Sequence, residues 1–361
     1  MKRYLFTTIG GIFFSLLFGQ AVTPVIKLDN NKCGISSMIY GKSNSGRNYV
    51  NRNDYLGNLY IRYIISGKVY TINLSDLSPI VQSNNPQDIK IAWQLPGSIE
   101  VNQSFFISEK DLDWDIIIYN KGKQTIEITD MRVHIPIGER NEMLPAKDNL
   151  ARHISLNGNS SYLYWLPYHG QGNVLLMTMK NGTSFEYKDI GDNFYIHSKT
   201  SVDRINDSWR LPSTSKTILP NKSYIVGFNF SIVEKYTKVQ EQLYNKGCVV
   251  AKIVPGMVVS SEIDVHCALA SKQKIKILEP EYPQQIQIVN KGKSNKKCLY
   301  DFRFSRLGEN MITIKYGKEN ICYLNFYVTE PLETVIKKRA SFIVNNQQHR
   351  DTTKWYNGLY S

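Results

Sequence analysis

Short stretches of β-forming residues, separated by tight turns and without helical periodicity between them, dominate the chain. "YLGNLYIRYIISGKVYTINL" holds two such runs around a turn at residues 66–68. "WDIIIYNKGKQTIEITDMRVHIPI" and "GNVLLMTMKNGTSFEY" repeat the arrangement, with turns at residues 120–123 and 180–182. Each pattern predicts a β-hairpin, and the series indicates an antiparallel sandwich. Residues 22–232 exceed the roughly 100 residues of an immunoglobulin sandwich, so we expect a larger β-supersandwich there.

A helical pattern interrupts the strands at residues 233–247. Side chains recur there at three- and four-residue spacing, and Gly247 stands where a helix C-terminus favours glycine. The recurring side chains are those of Val233, Tyr236, Val239, Gln240 and Leu243. The sequence therefore predicts a connecting helix that closes the first domain.

Strand signals return over residues 248–329, with the size and spacing of an Ig-like β-sandwich. Within "LGENMITIKYG", strand alternation places Ile312, Ile314 and Tyr316 on one face. Met311, Thr313 and Lys315 take the other face. We expect a small antiparallel module.

An amphipathic helix is predicted in the last segment, residues 330–361. Its apolar positions follow helical spacing and form one stripe: Leu332, Val335, Ile336, Ala340 and Ile343. A single helix of this length is marginal in water, so the stripe needs a partner.

The first 21 residues have the layout of a cleaved signal peptide. Lys2 and Arg3 precede an uncharged apolar run, and the small residues Gly19 and Ala21 follow it. We expect a periplasmic or extracellular protein. The alternative is an uncleaved N-terminal anchor. No other segment has the apolar length of a bilayer span, so we predict no stable membrane span.

The net charge of +13, from 44 Lys and Arg against 31 Asp and Glu, suits an anionic polysaccharide or envelope surface. The alternative is a lysine-rich composition without a selected role, because the basic residues form no long block. Export and the lack of a binding motif argue against nucleic acid as a partner.

Five cysteines in an exported chain permit disulfides. Cys33 stands apart from Cys248, Cys267, Cys298 and Cys322, and a Cys298–Cys322 bridge is geometrically possible, but spacing leaves the pairing open. No cysteine or histidine spacing matches a zinc site, so we predict no metal and no cofactor.

Four acidic residues alternate along "SEKDLDWDIII", namely Glu109, Asp111, Asp113 and Asp115. In a strand they project to one side. Paired acids serve glycosidases and calcium sites, but the calcium-loop pattern fails at Ile116 and Gly122. Solvated residues at a strand entry are the favoured interpretation.

The aromatic stretch "RHISLNGNSSYLYWLPYHGQG" supplies the candidate carbohydrate contacts, which are Arg152, His153, Trp165 and His169. Rings with polar tips suit sugars, because a ring face covers apolar C–H surface while polar groups take hydrogen bonds. Packing in a half-buried strand is the alternative. No catalytic motif is present, and we predict no catalytic residue.

Three stretches together carry a family resemblance: "RHISLNGNSSYLYWLPYHGQGNVLLMTMKNGTSFEY", "LYNKGCVVAKIVPGMVVSSEIDV" and "LGENMITIKYGKENICYLNFYVTEPLETVIKKRASFIVNNQQ". They resemble a family of exported bacterial proteins with a conserved domain of unknown function, itself similar to six-hairpin glycosidases. The resemblance implies a galactose-mutarotase-like supersandwich, an Ig-like insert and the first helix of an α/α toroid, whose remainder is expected to be missing.

In similar enzymes the toroid carries the catalytic acids, so enzymatic activity of this chain is left open. The resemblance implies an exported, non-catalytic N-terminal part of a carbohydrate-active protein that acts on polysaccharide or oligosaccharide. A stand-alone envelope glycan-binding protein, or a structural or adhesion module, is the alternative.

Overall fold

The computed structural model describes residues 24–29, 34–40, 47–108, 110–138, 149–202 and 211–359. The predicted signal peptide, Cys33 and Glu109 lie outside these residues. The described chain is mainly β, with antiparallel sandwiches and a short C-terminal helix, which confirms the predicted fold class.

The first domain begins with a series of nine strands. They are β1 (Pro24–Asp29), β2 (Gly34–Tyr40), β3 (Arg47–Asn48), β4 (Leu59–Ile65), β5 (Lys68–Asn73), β6 (Ile80–Asn85), β7 (Asp88–Leu95), β8 (Ile99–Ser108) and β9 (Asp111–Asn120). The domain continues with β10 (Ile126–His134), β11 (Leu150–Ser155), β12 (Tyr162–Pro167), β13 (Val174–Lys180), β14 (Tyr187–Lys188), β15 (Asn193–Ser198), the short helix α1 (Lys199–Val202), β16 (Lys216–Ile218) and β17 (Ser223–Val233).

Two of the sheets in this domain enclose its core. The large sheet has the order β11-β12-β13-β17-β9-β8-β7-β6, and the facing sheet has the order β14-β15-β10-β4-β5, with β16 paired to β10. Strands β1, β2 and β3 form a separate small sheet. Alternate residues of β8 and β9 are buried, so Phe105 and Trp114 pack inside, with ring centroids 5.5 Å apart. The buried Trp114 indole donates a hydrogen bond to Gln103 (3.0 Å), which satisfies its polar group.

The three predicted hairpins have different outcomes. β4 and β5 pair directly around Ser66 and Gly67, which both have positive φ, so the first prediction is confirmed. The second and third are wrong, because β9 and β10 lie in different sheets, as do β13 and β14. Turn residues therefore mark a tight change of direction there, while the chain crosses between the sheets.

The connection to the second domain is shorter than predicted. Val233 is the last residue of β17, Tyr236–Lys238 form one 3-10 turn, and α2 covers only Val239–Asn245. Gly247 has φ +83°, as expected after a helix C-terminus. Val239 and Leu243 pack on the outer face of the large sheet, so α2 ties the first domain to the second.

The second domain is a two-sheet sandwich of β18 (Val250–Val254), β19 (Val258–Ser260), β20 (Val265–Ala270), β21 (Ile275–Pro280), β22 (Ile286–Ser294), β23 (Lys297–Phe304), β24 (Gly308–Tyr316) and β25 (Asn320–Thr329). The front sheet has the order β18-β20-β23-β22, and the back sheet has the order β19-β25-β24-β21. Ile312, Ile314 and Tyr316 are buried, which confirms the predicted alternation. The Ig-like assignment stays a prediction.

The four cysteines within the described residues are free. Cys298 belongs to the front sheet and Cys322 to the back sheet, so the bridge considered between them is not formed. Burial raises the pKa of the Cys322 thiol to about 12, which keeps the thiol protonated and unreactive.

The C-terminal helix α3 (Leu332–Phe342) continues into a π-helical turn at Ile343–Gln347. None of the residues of α3 is buried. Leu332 and Ile336 are each 58% exposed, so the predicted apolar stripe is open to solvent among the residues described. No helix in the described part of the chain has the length and apolarity to cross a bilayer.

Candidate functional site

Trp165 lies on β12 with its indole in the core between the large and facing sheets. Its side chain is fully buried and packs in the same cluster as Leu163. A Cβ on Gly138 would lie 2.5 Å from Trp165 Cδ1, so the glycine leaves room for the indole. This burial corrects the expectation of a ligand-facing Trp165 and supports the packing alternative, because a ligand contact would require the sandwich to open.

His153 lies on the outer face of the large sheet. It is exposed and stacks on Tyr164, with ring centroids 4.4 Å apart and an interplanar angle of 13°. Tyr162 and Tyr236 extend this aromatic group. Tyr164 also packs against the cluster that contains α2. His153 therefore covers the edge of an internal packing surface.

His169 occupies an exposed turn after β12. Its Nδ1 accepts a hydrogen bond from the backbone N–H of Gln171 (3.1 Å). No ring contact joins His169 to His153 or Trp165 within the described residues. A role of His169 in ligand binding stays a prediction.

Arg152 points to the face of β11 opposite His153, because successive strand residues alternate. Its guanidinium forms an ion pair with Asp192, which precedes β15 of the facing sheet. Asn51 also donates to Asp192 (3.5 Å). Among the four predicted contacts, Arg152 alone thus reaches a polar cluster at the rim of the facing sheet.

A row of aromatic and cationic side chains crosses the outer face of the facing sheet. Tyr187 stands opposite Tyr195, Tyr195 opposite Arg132, and Arg132 opposite Tyr60, on four neighbouring strands. The Arg132 guanidinium carbon is 4.8 Å from the Tyr60 ring centroid and 5.9 Å from that of Tyr195. The Tyr187 and Tyr195 rings are 5.7 Å apart. We call Tyr187, Tyr195, Arg132 and Tyr60 the tyrosine–arginine row.

Charged groups flank the tyrosine–arginine row. Asp189 Oδ2 lies 3.4 Å from Arg132 Nη1. Burial, followed by the charge of Arg152, lowers the pKa of Lys188, whose ammonium donates to the Asp189 carbonyl (2.9 Å). Burial, and next Asp130, raise the pKa of Tyr60. Arg132 and Asp189 therefore bring both signs of charge to this face, whereas Lys188 stands opposite the core residue Phe194 and belongs to the other side of the sheet.

His134 lies one step along β10 from the tyrosine–arginine row. Its Nε2 is 3.0 Å from Asp54 Oδ2, and its Nδ1 is 3.2 Å from Asn193 Oδ1. An imidazolium donates to both oxygens. A neutral imidazole satisfies both contacts if the Asn193 amide is rotated so that its nitrogen donates. His134 is 23% exposed at its side chain and Asp54 36%, so this pair remains accessible to a ligand.

A buried polar cluster lies between the sheets near β15. Glu186 accepts hydrogen bonds from Ser198 (2.7 Å) and from the Thr214 backbone (3.0 Å), yet burial raises its pKa to about 6. His197 contacts Thr214 Oγ1 (2.8 Å) and the Tyr224 hydroxyl (2.9 Å), and burial lowers its pKa to about 4. His197 is therefore neutral at pH 7, and its 3.9 Å contact with Glu186 is not an ion pair there.

The acidic strand β9 is paired rather than solvated, which corrects the favoured interpretation of its carboxylates. Lys180 Nζ lies 3.1 Å from Asp113 and 3.4 Å from Asp115, while Asp111 pairs with Lys246. Asn229 also donates to Asp113 (2.7 Å). Next to this network, a cleft of about 270 Å³ between the two domains is lined by Asn159, Lys180, Lys246, Gln273 and Asn320, among others.

Sequence reasoning missed the tyrosine–arginine row because its members come from four separate strands. A local signal was available in "LYIRYII", where Tyr60 and Arg62 alternate with buried Leu59, Ile61 and Tyr63. On β10, Arg132 and His134 likewise alternate with the buried Met131 and Val133. Only the strand order brings these residues together.

Residues 71–359 match DUF5695, a family of unknown function, and the chain belongs to that family. The predicted membership of a family with a conserved domain of unknown function is thereby confirmed. The search of curated proteins found no match.

Solved structures provide a second comparison. A polysaccharide lyase superposes with a TM-score of 0.73 at 14% identity, over 94% of this chain and 51% of the lyase. A galactose mutarotase related enzyme from Lactobacillus acidophilus gives a TM-score of 0.37 at 9% identity, over 60% of this chain and 96% of the enzyme. At 14% identity the first likeness shows a shared fold, and this chain spans about half the length of the lyase.

Proposed function

We propose that this chain binds carbohydrate through the outer face of the facing sheet, as the exported and non-catalytic part of a protein that acts on polysaccharide. The tyrosine–arginine row is the observation that carries this proposal. It combines phenol rings with a guanidinium and a nearby carboxylate, Asp189. Tyr60, Arg132 and Tyr187 are partly exposed, whereas Tyr195 is buried, so the first three offer apolar ring surface, hydrogen-bond donors and acceptors to a sugar.

The shared fold with a polysaccharide lyase supports a role with carbohydrate. A lyase about twice as long leaves room for the reaction to lie in residues that this chain does not match. We therefore assign binding to this chain and place catalysis in a further domain.

The exposed stripe of α3 supports the proposed further domain. Leu332 and Ile336 present apolar surface that a helical domain would cover. An α/α toroid is the partner that we propose for this stripe.

Export through cleavage near residues 19–21 is part of the proposal. Expression of the full chain in a bacterium, followed by fractionation and N-terminal sequencing, tests it. We expect a shortened chain in the periplasm or medium. An intact N-terminus in the membrane fraction would favour the uncleaved anchor.

Binding of the purified chain to soluble neutral and acidic polysaccharides tests the carbohydrate site. We expect Tyr60→Ala and Arg132→Ala to weaken binding by about tenfold each, because both contribute to one contact surface. Tyr327→Ala and Arg306→Ala are matched controls, since they remove the same residue types from the second domain.

Thermal melts establish that the four variants are folded. If both row variants are folded and bind every polysaccharide like the parent, the site is rejected. If the parent binds no polysaccharide and instead captures a protein partner, the structural or adhesion alternative replaces the proposal.

A further inference from the structure

A lysine-flanked groove crosses the outer face of the front sheet in the second domain. Two adjoining hollows of about 570 Å³ and about 410 Å³ share Lys252 and Ala268 in their lining. The first extends to α2 at Tyr244, and the second extends along the sheet to Lys291. We call this continuous surface the lysine groove.

Small and aliphatic residues form the floor of the lysine groove. Lys252 stands opposite Ala268, Ala268 opposite Leu299, and Leu299 opposite Gly292, across the four strands of the front sheet. With neighbouring strands ~4.8 Å apart, this floor is about 14 Å wide. Its width and low relief suit an extended polymer chain.

The side walls carry the charge. Lys291, Lys296 and Lys297 lie on the β22–β23 hairpin, where every residue from 291 to 297 is exposed. Positive φ angles at Asn295 and Lys296 give the tight turn that projects this hairpin. Lys252 provides a further ammonium on β18, at the opposite edge of the sheet.

The carboxylates in the groove already have partners. Asp301 pairs with His266 (2.7 Å) and Lys291 (3.5 Å), and Glu241 pairs with Lys238 (2.8 Å). In the described part of the chain, no carboxylate forms an ion pair with Lys252, Lys296 or Lys297. The groove therefore has an excess of positive charge over a largely apolar floor.

We infer that the lysine groove binds an anionic polysaccharide, a sugar polymer with carboxylate or sulfate groups. The ammonium groups complement the charge of such a chain, and the Ala268–Leu299 floor contacts the apolar faces of its sugar rings. This inference rests on the proposed function only for the choice of a sugar polymer as occupant. The groove itself is separate from the tyrosine–arginine row.

Affinity measurements on the full chain with polygalacturonate, neutral dextran and duplex DNA test the inference. The test variant is Lys252→Gln with Lys296→Gln and Lys297→Gln. The control variant is Lys274→Gln with Lys276→Gln and Lys318→Gln, which removes the same charge from exposed positions outside the groove.

We expect polygalacturonate to bind better than dextran or DNA. The test variant should lose about tenfold or more in affinity, about 1.4 kcal/mol, while the control variant retains affinity within about twofold. Raising the ionic strength from about 0.05 M to about 0.5 M should weaken binding of the parent, because salt screens exposed charges.

Three results would overturn the inference: equal binding of dextran and polygalacturonate, stronger binding of DNA, or equal losses in the two lysine variants. The proposed function is tested separately. If Tyr60→Ala loses glycan binding while both lysine variants bind like the parent, the tyrosine–arginine row is supported and the lysine groove is rejected. If the lysine test variant loses glycan binding while Tyr60→Ala binds like the parent, the row is rejected.

Discussion

Asn159 and Ile321 exchange two hydrogen bonds between the first and second domains. The Asn159 backbone N–H donates to the Ile321 carbonyl (2.8 Å), and the Ile321 N–H donates to Asn159 Oδ1 (2.7 Å). Tyr323 N–H donates in the same way to Asn157 Oδ1 (2.6 Å). The loop before β12 therefore hydrogen-bonds the backbone of Ile321 and Tyr323 in the first half of β25, where no strand among the described residues pairs on that side.

The space for this contact depends on Gly158. It has φ +54°, and a Cβ there would lie 2.3 Å from the Ile321 carbonyl oxygen. We expect Gly158→Ala to lower the free energy of unfolding by about 1–3 kcal/mol, because the backbone would be strained and the domains pushed apart. Chemical denaturation of the full chain measures this loss.

Gly170→Ala is the matched control for Gly158. Gly170 also has positive φ, +73°, but no atom of the described residues lies within 4 Å of its added Cβ. A loss for Gly158→Ala no greater than that for Gly170→Ala would show that backbone strain alone acts and that the domain contact is unimportant.

A second prediction concerns the pH dependence of stability at His197. Burial lowers its folded-state pKa to about 4, below the ordinary value of 6.5. The unfolded chain therefore binds the proton more tightly, and stability falls as the pH decreases from 6.5 toward 4. Since one pKa unit corresponds to ~1.4 kcal/mol, the loss at this group is on the order of 2 kcal/mol by pH 4.5.

Glu186 acts in the opposite direction. Its folded pKa is raised from 4.5 to about 6, so its protonation stabilises the folded chain as the pH falls from 6 to 4.5. Urea unfolding of the parent, His197→Gln and Glu186→Gln between pH 7 and 4.5 separates the two effects. We expect a smaller acid loss for His197→Gln and a larger one for Glu186→Gln. Identical pH profiles would contradict this assignment.

Local patterns predicted much of the fold, because alternation and turn residues act over a few positions. Ile312 to Tyr316 and the turn at Ser66 and Gly67 followed these rules. The connections at residues 120–123 and 180–182 did not, since turn chemistry does not determine which sheet the next strand joins. Val233 shows a related limit of local patterns. Its spacing to Tyr236 predicted a helix, but Val233 is the last residue of strand β17.

The candidate site was less predictable for the same reason. Arg152 and Trp165 lie 13 positions apart in the sequence and oppose each other on β11 and β12. Even so, the Arg152 guanidinium reaches Asp192 at the rim of the facing sheet, while the Trp165 indole is buried in the core. Sheet order, a long-range property, brings Tyr60 beside Arg132. The sequence pattern therefore predicted a ligand-facing Trp165, whereas the packing of the two sheets places this indole in the core.

The different burial of Trp165 and His169 gives a third prediction. We expect Trp165→Ala to lower the free energy of unfolding by about 3–5 kcal/mol, since it leaves a large cavity in the core. His169→Ala should change it by less than about 0.5 kcal/mol. Equilibrium denaturation measures both. A small loss for Trp165→Ala would show that the indole is not part of the packed core.

The final prediction concerns a shortened chain that ends at Thr329. No residue of α3 is buried, so the loss of Leu332, Val335 and Ile336 removes few contacts from the second domain. It also removes an exposed apolar stripe, which promotes association. We expect the shortened chain to keep the melting temperature of the full chain and to remain monomeric at higher concentration. Scanning calorimetry and sedimentation velocity measure the two properties.

As a control, Leu332→Gln with Ile336→Gln in the full chain should reduce association by itself, because the change removes only the apolar side chains. A lower melting temperature for the shortened chain, together with poorer solubility, would instead show that α3 stabilises the sandwich and needs no further domain to cover it.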